Sequence, residues 1–452
     1  MSDTIAAIAS GQVVSAIGIV RLSGPEAIKC AARLFRPFHG GDLSGQPDRK
    51  LVYGKLHAVE GELLDICLCT VSRAPNTYTG ENTAEFQCHG SPMLLRLLLQ
   101  ELFKLGARQA GPGEFTKRAF MNGRMDLSSA EAVIDLIDAE SEETVRNAAA
   151  QLSGAIYRKA DSIYSMLGDM SAHFHAVLDY PDEDIEEFEA RNYSGLLFEA
   201  RSGLERLLKT FERGRIMNSG IPTAIIGLPN AGKSSLMNTL LGYDRAIVTE
   251  IPGTTRDTVE ERVRIGGHML RLIDTAGIRE TEDRVERLGV ERSFAAAETA
   301  ELVIAVVDSS RSPETGLGAV LKEAEKAEKS ILVLAKADLA QKAVLPALSM
   351  PIVRVSSLTG EGIDELEEII TELFPVPQVP AGEILTNARQ ADAVRRAVES
   401  IRTAQEALDA GMTPDIILTE AEEAMEALGE ITGASVREDI TNKIFSRFCV
   451  GK

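Results

Sequence analysis

The sequence predicts a multidomain protein: an α+β N-terminal domain, an α-helical bundle, and an α/β phosphate-loop domain inserted into that bundle. Three observations predict it. Residues 223–235, TAIIGLPNAGKSS, run from an apolar strand through G-x-x-x-x-G-K-S (Gly227, Gly232, Lys233, Ser234) into a helix. Strand-like and helix-like runs alternate up to about residue 118. Long helical patterns lie on both sides of the phosphate-loop segment, and the roughly seventy residues of the second are too few to bury a core alone. A single bundle made from both parts, with the α/β domain as an outgrowth, solves this, because domain ends tend to lie together at the surface. The expected boundaries are 1–118, 119–215, 216–376 and 377–452.

In the first part, IGIVRLSG, KLVYGKLHAV, LLDICLCTVS and TAEFQCHG read as strands, and EAIKCAARLF and PMLLRLLLQELFKLG as helices. After Asp126 the pattern turns helical, opened by a capping box of Ser128 with Glu131, and it includes LLFEARSGLERLLKTF. Gly214 to Pro222 breaks it. The α/β domain ends near Phe374, where FPVPQVPAG supplies three prolines. Helices then resume, with Val394, Val398, Ile401 and Leu408 on one face of AVRRAVESIRTAQEALDAG. The acidic stretches DYPDEDIEEFE and TEAEEAMEALGE read as solvated faces and loops.

Composition narrows the function classes. The chain has 452 residues and 44% hydrophobic content, enough for two or three cores. Its net charge of -20 argues against a protein that coats nucleic acid. Residues 1–118 carry 13 Lys+Arg against 11 Asp+Glu, leaving -22 for the rest, so an anion-binding surface is expected near the N-terminal part. The five cysteines (Cys30, Cys67, Cys69, Cys88, Cys449) lack metal-ligand spacing, and Cys67 and Cys69 read as buried core on one strand face. IAAIASGQVVSAIGIV follows Asp3, has no basic flank and is interrupted by Ser10, Gln12 and Ser15, so it is not a signal peptide. With no run of membrane-spanning length, a reduced, cytoplasmic protein without a membrane partner is expected.

The chemistry starts at the loop. Glycines let backbone N–H groups turn inward around phosphate oxygens, the ammonium of Lys233 reaches the outer phosphates, and the hydroxyl of Ser234 holds Mg2+. Asn230, Ala231, Gly232 and Ser235 complete the cradle, and the helix N-terminus adds positive field. Downstream, MLRLIDTAG ends a strand at Asp274, Thr275, Ala276 and Gly277, where Asp274 holds Mg2+ through water and the Gly277 N–H meets the terminal phosphate. TEIPGTTRD carries Thr249, Ile251, Thr254 and Thr255, the last placed to ligate Mg2+. ELVIAVVD and ILVLAKAD are further buried strands, the second ending at Lys336 and Asp338, whose carboxylate suits the N1–H and exocyclic NH2 of guanine. VRVSS ends at Ser356 and Ser357. Together these pieces resemble a translation-factor-type GTPase that hydrolyses GTP to GDP and phosphate.

Two departures stand out. Alanine occupies position 335, where Asn-Lys-x-Asp is usual, removing contacts to base and loop and predicting weaker nucleotide affinity. Ile278 follows Asp-x-x-Gly where many GTPases have a water-orienting glutamine, so the acidic residues of IRETEDRVERLG become the candidates. Asn230 offers an oxygen for a monovalent cation.

End to end, the chain resembles the tRNA uridine-modification GTPase family (MnmE, also called TrmE). The motifs are GIVRLSG, PNTYTGENTAEFQCHG, GPGEFTKRAFMNGRMDL, GLPNAGKSS, IPGTTRD, DTAGIR and FCVGK. The resemblance implies an N-terminal folate-binding and dimerising domain. It also implies a K+ ion at Asn230, Thr249, Ile251 and Thr254 that promotes pairing of two G domains in a homodimer, and Glu286 as the catalytic residue positioning water. Folate contacts are implied for Arg21, Glu85, Arg124 and Lys452, toward 5-formyltetrahydrofolate or a related one-carbon tetrahydrofolate, with Cys449, a possible reactive thiol, close by. The implied product is a 5-substituted wobble uridine of tRNA, made with a flavin-dependent partner (MnmG) in a heterotetramer or larger complex. Arg124 stands where lysine is common, SGQVVSAIGI lacks the usual Pro-Gly-rich turn, and Gln390 replaces a common histidine. A ribosome-assembly or checkpoint GTPase is the competing expectation, though no appended RNA-binding module is visible.

Overall fold

The computed structural model describes residues 3–11, 13–179, 190–243, 261–265, 267–273, 294–312, 316–343, 345–375, 382–435 and 438–452. These form two compact units: residues 1–138, 148–204 and 393–452 make the first, and residues 139–147 and 205–392 the second.

In the first unit, β1 (Ile5–Ile8), β2 (Ser15–Ser23), β3 (Phe35–Pro37), β4 (Val52–His57), β5 (Leu63–Ser72), β6 (Thr83–Gly90) and β7 (Arg108–Gln109) form one sheet. Their order is β3-β4-β5-β6-β2-β1-β7. The four expected strands are present, and the expected helices lie at Ala27–Leu34 and Pro92–Lys104. Strand periodicity divides the faces. Cys67, Cys69 and Val71 of β5, with Ala84, Phe86 and Cys88 of β6, enter a core closed by Leu95, Leu98 and Leu102 of the second helix. Ser91 caps that helix, its hydroxyl accepting from the Leu94 N–H, and Pro92 fits the first position. Thr70, Ser72, Thr83 and Glu85 point to the other face and stay partly exposed.

Helical segments of this unit include Leu127–Ile137, Ala155–Asp179, Pro414–Thr432 and Glu438–Phe445. The expected capping box does not form. Asp126 is the cap, accepting from the Ser129 N–H at 2.8 Å, and Ser128 turns its hydroxyl to the same carboxylate. A carboxylate in the cap position outcompetes a hydroxyl two residues on, because its charge complements the helix dipole. Helix Ala155–Asp179 packs on Pro414–Thr432, where Ala421, Ala424, Leu428 and Ile431 are buried while Glu422, Glu423 and Glu426 remain exposed. The residues after Phe445 return to the sheet domain. Val450 bridges Pro112, the Phe115 N–H donates to the Lys452 carbonyl at 3.0 Å, and Phe448 stacks near Phe445.

The second unit holds β8 (Ile221–Ile226), β9 (Glu261–Ile265), β10 (His268–Leu272), β11 (Leu302–Asp308), β12 (Ser330–Ala335) and β13 (Ile352–Val355), in the order β13-β12-β11-β8-β10-β9. All neighbours run parallel except β9 with β10. The central strands are apolar on both faces because both are covered. Ile225, Ile304, Val306 and Val333 enter one core, and Ala224, Ile226, Val303 and Leu332 enter the other. The expected break at Gly214–Pro222 is shorter than predicted. A helix continues over Phe211–Ser219 and stops at Gly220, and β8 begins at Ile221. The two ends of the unit are stitched together: Thr210 Oγ1 accepts from the Leu385 N–H at 3.0 Å, and a Cβ on Gly214 would meet the Leu385 carbonyl at 1.9 Å. Among the described residues, no helix is long and apolar enough to cross a membrane.

Candidate functional site

The phosphate loop follows β8 and leads into helix Lys233–Tyr243. Its glycines have specific reasons. A Cβ on Gly227 would lie 2.4 Å from the Val306 carbonyl, and Gly232 adopts φ +107, where side chains are strained. Asn230 takes the left-handed conformation at φ +61, which asparagine tolerates better than most residues. Lys233 folds along the inside of the loop, its Nζ donating to the carbonyls of Gly227 and Leu228 at 2.9 Å each. Burial lowers its pKa from 10.5, which fits an ammonium held against the loop rather than in bulk water.

Beside the loop, the ends of β11, β12 and β13 bring three predicted groups together. Lys336, at φ +62, donates through Nζ to Asp308 Oδ2 at 2.6 Å. Burial pushes the Asp308 carboxyl up, but bonds from Lys336 and Ser310 outweigh it, and the pKa falls below 3.8. Ser356, fully buried, donates through Oγ to Asp338 Oδ1 at 2.7 Å, holding one carboxylate oxygen and leaving the carboxylate a defined orientation. Ser357 follows it, its carbonyl accepting from Thr239 Oγ1. Residue 335 faces the loop: its Cβ lies 3.2 Å from where a Cβ of Gly232 would sit. The methyl group of Ala335 therefore stands where an amide would otherwise reach the loop backbone. Ala335→Asn is expected to tighten GTP binding about fivefold, one neutral hydrogen bond at about 1 kcal/mol. Titration with a fluorescent GTP analogue checks it, and unchanged affinity would remove residue 335 from the account.

A second constellation lies on the outer face of the first unit's sheet. Strand register sets Arg21 of β2 opposite Glu85 of β6, and Glu85 opposite Thr70 of β5. Arg21 Nε donates to Glu85 Oε1 at 2.6 Å, and its guanidinium lies 5.9 Å from the Tyr78 ring and 5.8 Å from that of Phe115. Glu85, Arg124, Tyr78, Thr70 and Asn76 line a cleft of about 640 Å³. Lys452 reaches this neighbourhood through its backbone, bonded to Phe115, and Cys449 is exposed nearby in sequence, its carbonyl accepting from the Gly113 N–H.

The motifs around that cleft are tied by charge. Arg118, 12% exposed, donates to Glu81 Oε2 at 2.9 Å, Glu114 Oε1 at 2.9 Å and Asp3 Oδ1 at 2.8 Å. Tyr78 and Thr116 share a 2.9 Å hydrogen bond, and Asn122 donates to the Thr79 carbonyl. Arg108 adds a second cation on Asp3 and Glu114. Burial raises the Glu114 carboxyl, but Arg108, the Gly111 N–H and Arg118 together hold it at about 2. Asp3 is also held at about 2, chiefly by Arg108. Both folded values lie below the ordinary 4.5 and 3.8, so this stabilisation is complete above those values and is lost as pH falls toward 2. Amide protection over residues 108–122, read by hydrogen exchange, is expected to fall between about pH 4.5 and 2. Arg118→Ala should cost about 3 kcal/mol and lessen that dependence without abolishing it, because Arg108 still pairs with both carboxylates. Unchanged protection in the variant would contradict the network.

Comparison with known proteins decides the family. A model of the "GTP-binding protein TrmE N-terminus" matches residues 4–124, and one of the "MnmE helical domain" matches residues 127–449. The tRNA modification GTPase MnmE of Acetivibrio thermocellus is 42% identical over 464 aligned residues, covering 100% of this chain and 99% of the relative. The chain belongs to the tRNA modification GTPase MnmE family. Its counterpart in Geobacillus thermodenitrificans is also 42% identical, over 100% of this chain and 99% of that one. Among solved structures, Aquifex aeolicus Era bound to GDP.AlF4- is 26% identical over 39% of this chain and 65% of that chain, at a TM-score of 0.26. The MnmE assignment thus rests on the full-length relatives and family models.

Against the expectations for an MnmE protein, the structure brings together Asn230, Ala231 and Gly232 of the loop with Lys233, Ser234 and Ser235 of the helix it leads into, and Lys336, Asp338, Ser356 and Ser357 at adjoining strand ends. Thr249, Ile251, Thr254, Thr255, Asp274, Thr275, Ala276, Gly277 and Glu286 lie outside the described residues. Gln390 is buried. Sequence reasoning missed Asp308, Arg118 and Tyr78. Asp308 had a signal, a lone carboxylate ending the apolar run LVIAVV. Arg118 had only its i,i+4 spacing from Glu114, since Asp3 and Glu81 come from two separate segments.

Proposed function

We propose that this chain hydrolyses GTP to drive modification of tRNA, acting with an FAD-dependent partner of the MnmG kind on C5 of the wobble uridine at position 34, where a carboxymethylaminomethyl-type group is installed. The observation that carries this reading is the end-to-end match to MnmE relatives, 42% identical over the whole chain, on a chain that holds both a phosphate loop and a polar cleft in separate units. One unit would supply nucleotide chemistry and the other a place for a small anionic donor, a pairing that supports modification over timing alone.

In the nucleotide domain, Ser234 and Thr255 would hold Mg2+, which neutralises charge on the transferring phosphoryl group. Asn230, Thr249, Ile251 and Thr254 would hold K+. Asn230 is exposed in the loop, with a left-handed backbone, which leaves its side chain open to an ion. Lys336 and Asp338 receive guanine, with Ser356 fixing the carboxylate. In a homodimer with its two G domains paired, an arrangement that a bound K+ would favour, Glu286 would position the attacking water in place of Ile278.

In the first unit, the cleft's size suits a tetrahydrofolate of the 5-formyl or a related one-carbon class, within the usual 300–1,000 Å³ of ligand pockets. A pterin's paired donors match the Glu85 carboxylate, and Arg21 and Arg124 suit acceptor edges and carboxylates. Lys452 and the Cys449 thiol belong to this site, which we place in the cytoplasm with its tRNA. Deleting the gene and analysing tRNA nucleosides by mass spectrometry tests the reading: loss of the 5-substituted wobble uridine is expected. Unchanged wobble uridines with accumulating ribosomal precursors would favour a ribosome-assembly GTPase instead.

A further inference from the structure

Cys67 and Cys88 are 21 residues apart, a spacing that carries no metal signature. The sheet changes this. The last paired rung between β5 and β6 is Leu68 with Gln87, and one step further the same register sets Cys67 opposite Cys88. Both side chains point to the helix-covered face, both residues are buried, and their sulfurs lie 3.9 Å apart. Asp65, two residues along β5 on that face, places a carboxylate oxygen so that all three atoms lie within 4.8 Å of one another. Its side chain is 9% exposed. His89, 76% exposed, holds it from outside: His89 Nδ1 is 2.8 Å from Asp65 Oδ1, and the His89 N–H donates to Oδ2 at 3.0 Å.

We propose that Asp65, Cys67 and Cys88 form a zinc site that pins β5 to β6 where their ladder ends, with His89 orienting the carboxylate. Two sulfurs on a tetrahedral zinc at about 2.3 Å are separated by about 3.8 Å, so the observed separation accepts the ion with little movement. A disulfide would need the sulfurs to close to about 2.05 Å. The donor set is two thiolates and one carboxylate, with solvent in the fourth position, and the carboxylate's partner is an imidazole, the usual way in which an outer group fixes a ligand. Cysteine thiols are mostly protonated near pH 7 and bind zinc only as thiolates. Binding therefore transfers both thiol protons to solvent as the sulfur lone pairs bind zinc, releasing two protons per ion. Glu85 and Thr70 sit on the opposite face of these same strands, so the pin also steadies the wall of the polar cleft.

Full-length protein, stripped with a chelator under reducing conditions, is titrated with Co2+ and then Zn2+. The expected result is one equivalent of Co2+ with a thiolate charge-transfer band and visible bands of tetrahedral intensity, displaced by one equivalent of Zn2+, with two protons released per zinc. Cys88→Ser should abolish the charge-transfer band, while Cys69→Ser and Cys449→Ser keep it. Asp65→Asn, at the rim of the site, should weaken zinc binding about tenfold or more with an unchanged circular dichroism spectrum. Should Cys88→Ser fail to fold, the proton count on the unaltered protein still decides. Absence of the band, its loss in Cys449→Ser, or zinc binding without proton release would each overturn the assignment.

Discussion

Lys233→Met is expected to reduce GTP turnover by two to three orders of magnitude and to weaken GTP binding at least tenfold. The ammonium is the one side-chain cation of the loop, and it is held by two carbonyls at 2.9 Å, half-buried, with a pKa lowered by desolvation. A phosphate oxygen exchanges two neutral acceptors for an anionic one, and hydrogen bonds to charged groups contribute about 1.5–3 kcal/mol. Charge that develops on the phosphoryl oxygens adds to this in the transition state, where losing one preorganised donor costs about 2.7–4 kcal/mol. Equilibrium binding and single-turnover hydrolysis measure the two parts separately. A variant that bound GTP normally would show that the loop backbone and Mg2+ alone carry the phosphates.

Glu286→Ala should behave differently. We expect GTP affinity within about twofold of the original and a fall in turnover of about 100-fold or more, the usual range for a group that handles the attacking water. The contrast with Lys233→Met is the informative part: one residue serves binding and chemistry, the other chemistry only. Turnover of the unaltered protein should be faster in K+ than in Na+, and the variant should lose that difference, because the role proposed for the cation is to assemble the arrangement in which Glu286 works. Equal rates in both salts would remove Asn230 from the cation site, and normal turnover in the variant would return the water-positioning role to another acid of IRETEDRVERLG.

Much of the fold was legible because its signals are local. The strands LVIAVVD and SILVLA are apolar on both faces, as covered parallel strands must be, and the phosphate loop fixes its own glycines, lysine and serine within eight residues. What stayed hidden was set across strands or between segments. Arg21 and Glu85 were expected at one site only through family resemblance, and sheet register puts them side by side although 64 residues separate them. Cys67 read correctly as buried, but nothing in DICLCTV points to Cys88. The capping box failed for a related reason: Ser128 and Glu131 fit the pattern, and a better cap stood two residues earlier at Asp126. The break before β8 was read too long because Gly214 looks like a helix breaker, whereas it is a glycine that lets the helix touch the Leu385 carbonyl.

The return of residues 448–452 to the N-terminal sheet has a consequence for how the protein is made. Residues 4–124 leave the ribosome early, yet Phe115 and Pro112 find their partners in Lys452 and Val450. About 320 residues separate Arg124 from Phe448, and translation at roughly 5–20 residues per second makes that a wait of roughly 15–65 seconds. The nucleotide domain, continuous from 205 to 392 apart from a short added strand of chain at 139–147, can form during that interval. A nascent chain can thus hold its nucleotide unit before its N-terminal sheet domain is sealed, and a fragment truncated before Phe448 would lack the contacts that Val450 and Lys452 make with Pro112 and Phe115.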